Sequence, residues 1–248
     1  MKILLNCDLG EGEEATTTAS LLEVVDLANI ACGGHAGDEA TMRAVVREAV
    51  VRGVQPGAHP GWADRESFGR TRAAVGAVEL RHLMAEQVGL LQRMIKEEGG
   101  QLGHVKLHGA LYHLCDERED LAEACVDWMY AEMEGVALIV GAGGLLHAVA
   151  EARGVSVLRE VFAERGYAEE SRLVPRGEEG ALLDDPTFVA QRVREWRRTG
   201  YWPLRSGRQW MVEAETVGLH ADSPASVAIA RAVKDVLATG GDAEQAEG

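Results

Sequence analysis

His104-Val105-Lys106-Leu107-His108 decides the fold. Side chains of an extended strand alternate between two faces. Val105 and Leu107 share one face, and His104, Lys106 and His108 share the other. A lysine between two histidines in a buried strand costs several kcal/mol unless it is paired or meets solvent or a ligand. The apolar pair must therefore pack under helices while the polar trio points into the interior of a barrel. The segment Ile3–Cys7 repeats this logic, with Leu5 and Cys7 on one side and Asn6 and Asp8 on the other.

Five more short apolar runs read as strands: Leu27–Cys32, Val54–His59, Val136–Val140, Val155–Val161 and Glu213–His220. Amphipathic stretches lie between them. Met42, Val45, Val46, Ala49 and Val50 form one helical face, and Leu80, Met84, Val88, Leu91 and Ile95 a longer one. Asp185-Pro186 and Ser223-Pro224 each read as an N-cap followed by proline in the first turn. Alternating strands and helices imply a parallel sheet with helical crossovers. Seven such units suit a closed, TIM-like β/α barrel, with a doubly wound open sheet as the rival. No linker divides the chain, so residues 1–238 are expected to form one barrel domain and residues 239–248 a disordered tail.

The composition narrows the function. Of 248 residues, 46% are hydrophobic and 26% charged, which are ordinary globular values. A net charge of −15 disfavours nucleic acid and anionic membranes as partners. No run reaches the ~18 apolar residues of a membrane span. The first residues turn polar too soon for a signal peptide, and the four cysteines form no C-x-x-C pair. A cytoplasmic protein with reduced thiols is expected.

Ionisable residues gather at the carboxyl ends of the strands, the face that carries the active site in α/β barrels. Asp8 follows the first strand, His35 and Asp38 the second, and His59 the third. Lys106 and His108 end the fourth, Glu164 and Arg165 follow the sixth, and His220 ends the seventh. Asp38 also fits a helix cap. Cys32 reads as a small buried residue rather than a nucleophile. Asp8, His35 and His59 form a possible metal set, although spacing across three strands leaves this open. Gly141-Ala142-Gly143-Gly144 lacks the full dinucleotide fingerprint and reads as a tight turn whose helix could hold an anion. The four lysines (Lys2, Lys96, Lys106 and Lys234) follow no phosphate-loop glycines. The long polar connection from Phe162 to Asp185 carries Arg165, Arg172 and Arg176, which suit an anionic substrate and a mobile lid.

Taken in order, several segments resemble the LamB/YcsF family: Asn6-Cys7-Asp8-Leu9-Gly10-Glu11, Asn29 through Asp38, Gly57-Ala58-His59-Pro60, His104 through Tyr112, Glu160-Val161-Phe162 and Leu173-Val174-Pro175-Arg176. The resemblance runs from residue 2 to about 238. It implies a seven-stranded barrel of the glycoside hydrolase/deacetylase type. It also implies the A subunit of a 5-oxoprolinase, opening L-5-oxoproline to L-glutamate with ATP. Subunits B and C are the implied partners, and ATP with Mg²⁺ is expected to act through them. The family usually carries Asp where Glu164 stands, and Cys and Gly where Gly218 and Ala221 stand. On this view Asp8, His35, Asp38, His59, Lys106 and Glu164 are catalytic, with Asp8 or His59 as base and Lys106 as oxyanion or phosphate partner. Asn6, His108, Arg165, Arg176 and His220 contact the substrate, Arg165 and Arg176 through its carboxylate. A bound metal is left open. The alternatives are a stand-alone metal-dependent amidase or deacetylase, and a non-catalytic lactam-binding subunit.

Overall fold

The computed structural model describes residues 2–72 and 76–239. Of the tail expected at residues 239–248, Thr239 is described, as the residue that ends the last helix, and residues 240–248 lie outside the described residues. Seven parallel strands close into a barrel: β1 (Leu4–Leu9), β2 (Leu27–Ala31), β3 (Gln55–His59), β4 (His104–Lys106), β5 (Ala137–Gly141), β6 (Val157–Phe162) and β11 (Thr216–His220). Neighbours follow chain order, and β1 pairs with β11 to seal the ring. The closed ring rules out the open sheet.

Each barrel strand sends apolar side chains outward under the helices. Leu5, Cys7, Ala28, Ile30, Ala58, Val105, Val161, Val217 and Leu219 are all buried there. Facing them are α2 (Glu39–Arg52), α3 (Ala77–Glu97), α5 (Glu119–Glu132), α6 (Leu145–Arg153), α7 (Pro186–Thr199) and α8 (Ser226–Ala238). The register aligns Asp8 with Asn29, Asn29 with Gly57, and Gly57 with His104 across β1 to β4. One layer of the interior is therefore polar. Gly57 and Gly218 leave room for it. A Cβ on Gly57 would collide with the His104 ring, and one on Gly218 would lie 2.5 Å from Glu160 Oε2.

Two short helices escape the periodicity. The first, α1 (Ala15–Leu22), is threonine-rich, and the second, α4 (Gly109–Glu117), starts directly at the barrel rim. Two small antiparallel ribbons were also unforeseen: β7 (Tyr167–Glu169) with β8 (Arg172–Leu173), and β9 (Tyr201–Pro203) with β10 (Gln209–Met211). Each strand has at most three residues, too few for a period to show. Asp185 caps α7 as expected, accepting from the Thr187 and Phe188 amides. Ser223-Pro224 does not start α8. It forms a turn just before it, with Ser223 Oγ accepting from the Ala225 amide. Among the described residues no helix is long and apolar enough to cross a membrane.

Candidate active site

Asp8, His59, Lys106, His108 and His220 come from four strand ends and line one cleft of about 390 Å³. Phe162, Tyr112, Arg70, Arg165 and Arg176 complete its walls. The volume is that of a small-molecule site.

Lys106 is 1% exposed and sits at the floor. Its Nζ donates to Asp8 Oδ1 at 3.0 Å and lies 3.1 Å from Glu160 Oε2 and 3.1 Å from Asn6 Oδ1. Burial opposes the ammonium charge, but the two carboxylates outweigh it and raise the pKa. Asp8 responds in the opposite sense. Burial opposes its charge, yet His59 and Lys106 hold its carboxyl well below the usual range. Asn29 Nδ2 also donates to Asp8 Oδ1, at 2.8 Å. So firmly ionised a carboxylate is the direct counter-ion of Lys106.

Asn6 does not reach the cleft. It is fully buried and bonds Glu160, Thr216, Asn29 and Lys106, so it positions the lysine instead of touching substrate. Glu160, absent from the expected set, is the second anion beside Lys106. Inward alternation along β6 could have found it, since Glu160 and Phe162 share one face.

His220 Nδ1 lies 2.6 Å from Glu164 Oε1, and its backbone N–H donates to the same oxygen at 3.2 Å. The carboxylate thus holds the Nδ1 proton and leaves Nε2 as the bare, cleft-facing nitrogen. That Nε2 is 3.8 Å from Asp8 Oδ2, and the ring stacks on Phe162. Glu164 is buried behind His220, so it orients the imidazole rather than meeting a substrate.

The basic wall is real but partly anchored. Arg165 is buried and donates to the Ala181 and Val174 carbonyls. Arg192 of α7 donates to the Ala163 and Arg165 carbonyls. These bonds staple the base of the Phe162–Asp185 connection, the stretch expected to act as a mobile lid. Arg70 and Arg176 share one carboxylate, Asp222, at 3.3 and 2.8 Å. Burial first, and then repulsion from Arg176, lowers the pKa of both Arg70 and Arg165. Clustered guanidiniums in a protein of net charge −15 mark a place for an anion.

Asp38 lies outside the site. It is exposed, and its Oδ1 caps α2 by accepting from the Thr41 amide at 2.8 Å. The catalytic expectation for Asp38 is corrected accordingly. Asp38→Ala is expected to lower the melting temperature through loss of the cap while leaving turnover unchanged, as thermal denaturation and a rate assay on one preparation would show. Cys32 is buried, and burial pushes its thiol up to about 12, in keeping with a small packed residue. The turn at Gly141–Gly144 is not an anion site either. The Asp116 carboxylate already occupies the α6 amino terminus, accepting from the Leu146 amide at 2.9 Å.

Beside the cleft, Glu11, His35, His59 and His108 bring four donor atoms within 4.8 Å of one another. They are the described residues able to hold a metal ion. Of the expected set of Asp8, His35 and His59, this cluster keeps the two histidines and has Glu11 and His108 in place of Asp8, whose Oδ2 lies 3.3 Å from His59 Nε2. Glu11 is presented by the β1–α1 loop, which Glu13 shapes by accepting from the Gly10 and Glu11 amides. Burial pushes the His35 pKa down to about 4 despite the Glu11 contact.

Known proteins resemble this chain along nearly its whole length. The chain is 42% identical over 240 residues to the 5-oxoprolinase A subunit of Streptomyces avermitilis, covering 96% of each. It is 40% identical over 246 residues to the 5-oxoprolinase A subunit of Nitrobacter hamburgensis, covering 97% of this chain and 96% of the relative. The crystal structure of the lactam utilization protein from Thermus thermophilus superposes with a TM-score of 0.87 at 34% identity, covering 96% of both chains. The sequence model of the LamB/YcsF family matches residues 3–246, so nearly every element that builds the barrel and its rim falls inside the match, and the chain belongs to the LamB/YcsF family.

Proposed function

We propose that this chain is the A subunit of a cytoplasmic ATP-dependent 5-oxoprolinase, and that its cleft opens the lactam of L-5-oxoproline to give L-glutamate. The observation that carries the reading is the pairing of a charged, buried Lys106 with the Glu164-oriented His220 in one arginine-walled cleft. The names of the relatives and of the structural neighbour support the substrate class.

Arg176 and Arg70 hold the substrate carboxylate, drawing on the charge that Asp222 leaves uncompensated. The lactam carbonyl then points down toward Lys106. His220 Nε2 takes a proton from water as the water oxygen bonds to the carbonyl carbon. Lys106 stabilises the negative charge that develops on the carbonyl oxygen. The carbon–nitrogen bond breaks, and the proton on His220 passes to the departing nitrogen. A five-membered lactam is a stabilised amide, so the opening is coupled to ATP. The γ-phosphoryl group passes to the lactam oxygen, with release of ADP, before the water attacks. Ring opening leaves an acyl phosphate, and a second water cleaves it to glutamate and phosphate. No phosphate-loop motif occurs in this sequence, and partner subunits B and C are assigned the ATP and its Mg²⁺.

Arg176→Gln is expected to raise KM for 5-oxoproline by roughly 10-fold or more, the size of a lost charge-assisted contact, with kcat less affected. Steady-state kinetics on the assembled complex measure this. The reading as a whole is tested by glutamate formation from 5-oxoproline, ATP and Mg²⁺. The chain alone is expected to yield none, and activity should appear on adding subunits B and C. Robust glutamate production by the isolated chain would overturn the division of labour.

A further inference from the structure

Glu11, His59 and His108 meet where three lone pairs converge. His59 Nδ1 lies 2.8 Å from the Lys106 carbonyl oxygen, and His108 Nε2 lies 2.9 Å from that of Phe68. A carbonyl oxygen can only accept, so each of these nitrogens carries its ring's proton. The other two nitrogens, His59 Nε2 and His108 Nδ1, carry no proton when the rings are neutral. Asp8 Oδ2, 3.3 Å from His59 Nε2, favours the protonated form of that ring against burial, and an ion would take the place of that proton. The two nitrogens face each other at 3.0 Å. Glu11 Oε1 lies 3.5 Å from the first and 3.1 Å from the second. All three side chains are no more than 5% exposed. Three electron pairs pressed together in a dry place repel one another, and a cation among them turns the repulsion into attraction.

We propose that Glu11, His59 and His108 bind a divalent transition-metal ion, with zinc the best match to two imidazoles and a carboxylate. The three donor atoms form a nearly equilateral triangle. A point equidistant from its corners lies about 1.9 Å from each, so an ion about 1 Å above the plane reaches all three at the 2.0–2.2 Å typical of zinc. Two histidines and one carboxylate leave coordination positions open, as in metal sites that act on substrates. His59 and His108 both line the cleft, which puts the ion within reach of a ligand there.

His35 plays a different part. Its ring lies parallel to that of His108, with planes 2° apart and centroids 3.6 Å apart. Ring lone pairs lie in the ring plane, so two stacked rings cannot both aim at one ion. His35 Nε2 instead lies 2.8 Å from Glu11 Oε1 and donates to it, fixing the carboxylate.

Metal content is read without turnover, so this inference stands apart from the lactam assignment. The full chain is stripped with a chelator, dialysed, and titrated with Zn²⁺ and, separately, with Co²⁺. One equivalent of zinc per chain is expected by elemental analysis, and Co²⁺ should produce visible ligand-field bands. Glu11→Gln and His108→Ala are expected to weaken binding ~100-fold or more, while the exposed Asp38→Ala variant binds normally. His35→Ala is expected to weaken it less than either ligand change. If the ligand variants fail to fold, the wild-type titration alone decides. A folded wild-type chain that takes up neither ion overturns the proposal. The converging lone pairs are then bridged by a proton, visible as an imidazolium ring in nitrogen NMR. Binding unaltered in folded Glu11→Gln and His108→Ala variants overturns it too.

Discussion

Lys106→Met is expected to cost both stability and catalysis. Methionine keeps the length and apolar stem but removes the ammonium that Asp8 and Glu160 share. Breaking a buried ion pair from one side costs about 3–5 kcal/mol, because a charge is left without a partner. In a chain of this size that lowers the melting temperature by roughly 6–20 °C. Turnover of the assembled complex should fall by ~10²-fold or more, as for a lost oxyanion donor. The two effects separate in a double variant. Lys106→Met with Glu160→Gln removes one stranded charge, so calorimetry should show part of the melting temperature recovered. Activity should not return. A folded Lys106→Met complex with wild-type turnover would place Lys106 among structural residues, and recovery of activity in the double variant would do the same.

His220→Ala is expected to lower kcat by about 10²–10⁴-fold, the range for a lost general base. The fold should tolerate the change, because His220 lies at the rim and its side chain is 12% exposed. Glu164→Gln should give a smaller loss, since an amide still bonds the imidazole while no longer stabilising its charged form. Free imidazole diffusing into the cleft should partly restore turnover in His220→Ala. A structural role for His220 predicts no such rescue. If His220→Ala turns over normally, the proton acceptor must be sought elsewhere on the rim, and His59, whose Nε2 lies 3.3 Å from Asp8 Oδ2 against 3.8 Å for His220, is the next imidazole to test.

The barrel was legible because its signal repeats. Every strand position foreseen from the apolar runs is occupied by a barrel strand, with ends shifted by only a few residues. Inward alternation in β1 and β4 correctly placed Asn6, Asp8, His104 and Lys106 inside. The same rule applied to β6 would have exposed Glu160, but Val155–Val161 was read for its apolar character alone. The short ribbons and α1 stayed hidden because so few residues carry no period. Roles were harder than places. Asp38 is polar and follows a barrel strand, yet its carboxylate turns back to cap α2. Arg165 carries the right charge, yet its guanidinium is committed to the Ala181 and Val174 carbonyls.

By itself the sequence determined the number of barrel strands, their parallel order, the face on which polar groups collect and the cationic lining of an acidic protein. These follow from local alternation and composition, which a chain carries in its order of residues. Only the tertiary structure decided how the groups pair. Lys106 meets Glu160 across 54 residues of chain, Glu164 meets His220 across 56, and Glu11 reaches His108 across nearly a hundred. Whether a carboxylate is a base, a counter-ion or a metal ligand depends on which neighbour lies within about 3–4 Å. Barrel closure sets that distance by bringing the ends of non-adjacent strands to one rim, and no spacing along the chain encodes it.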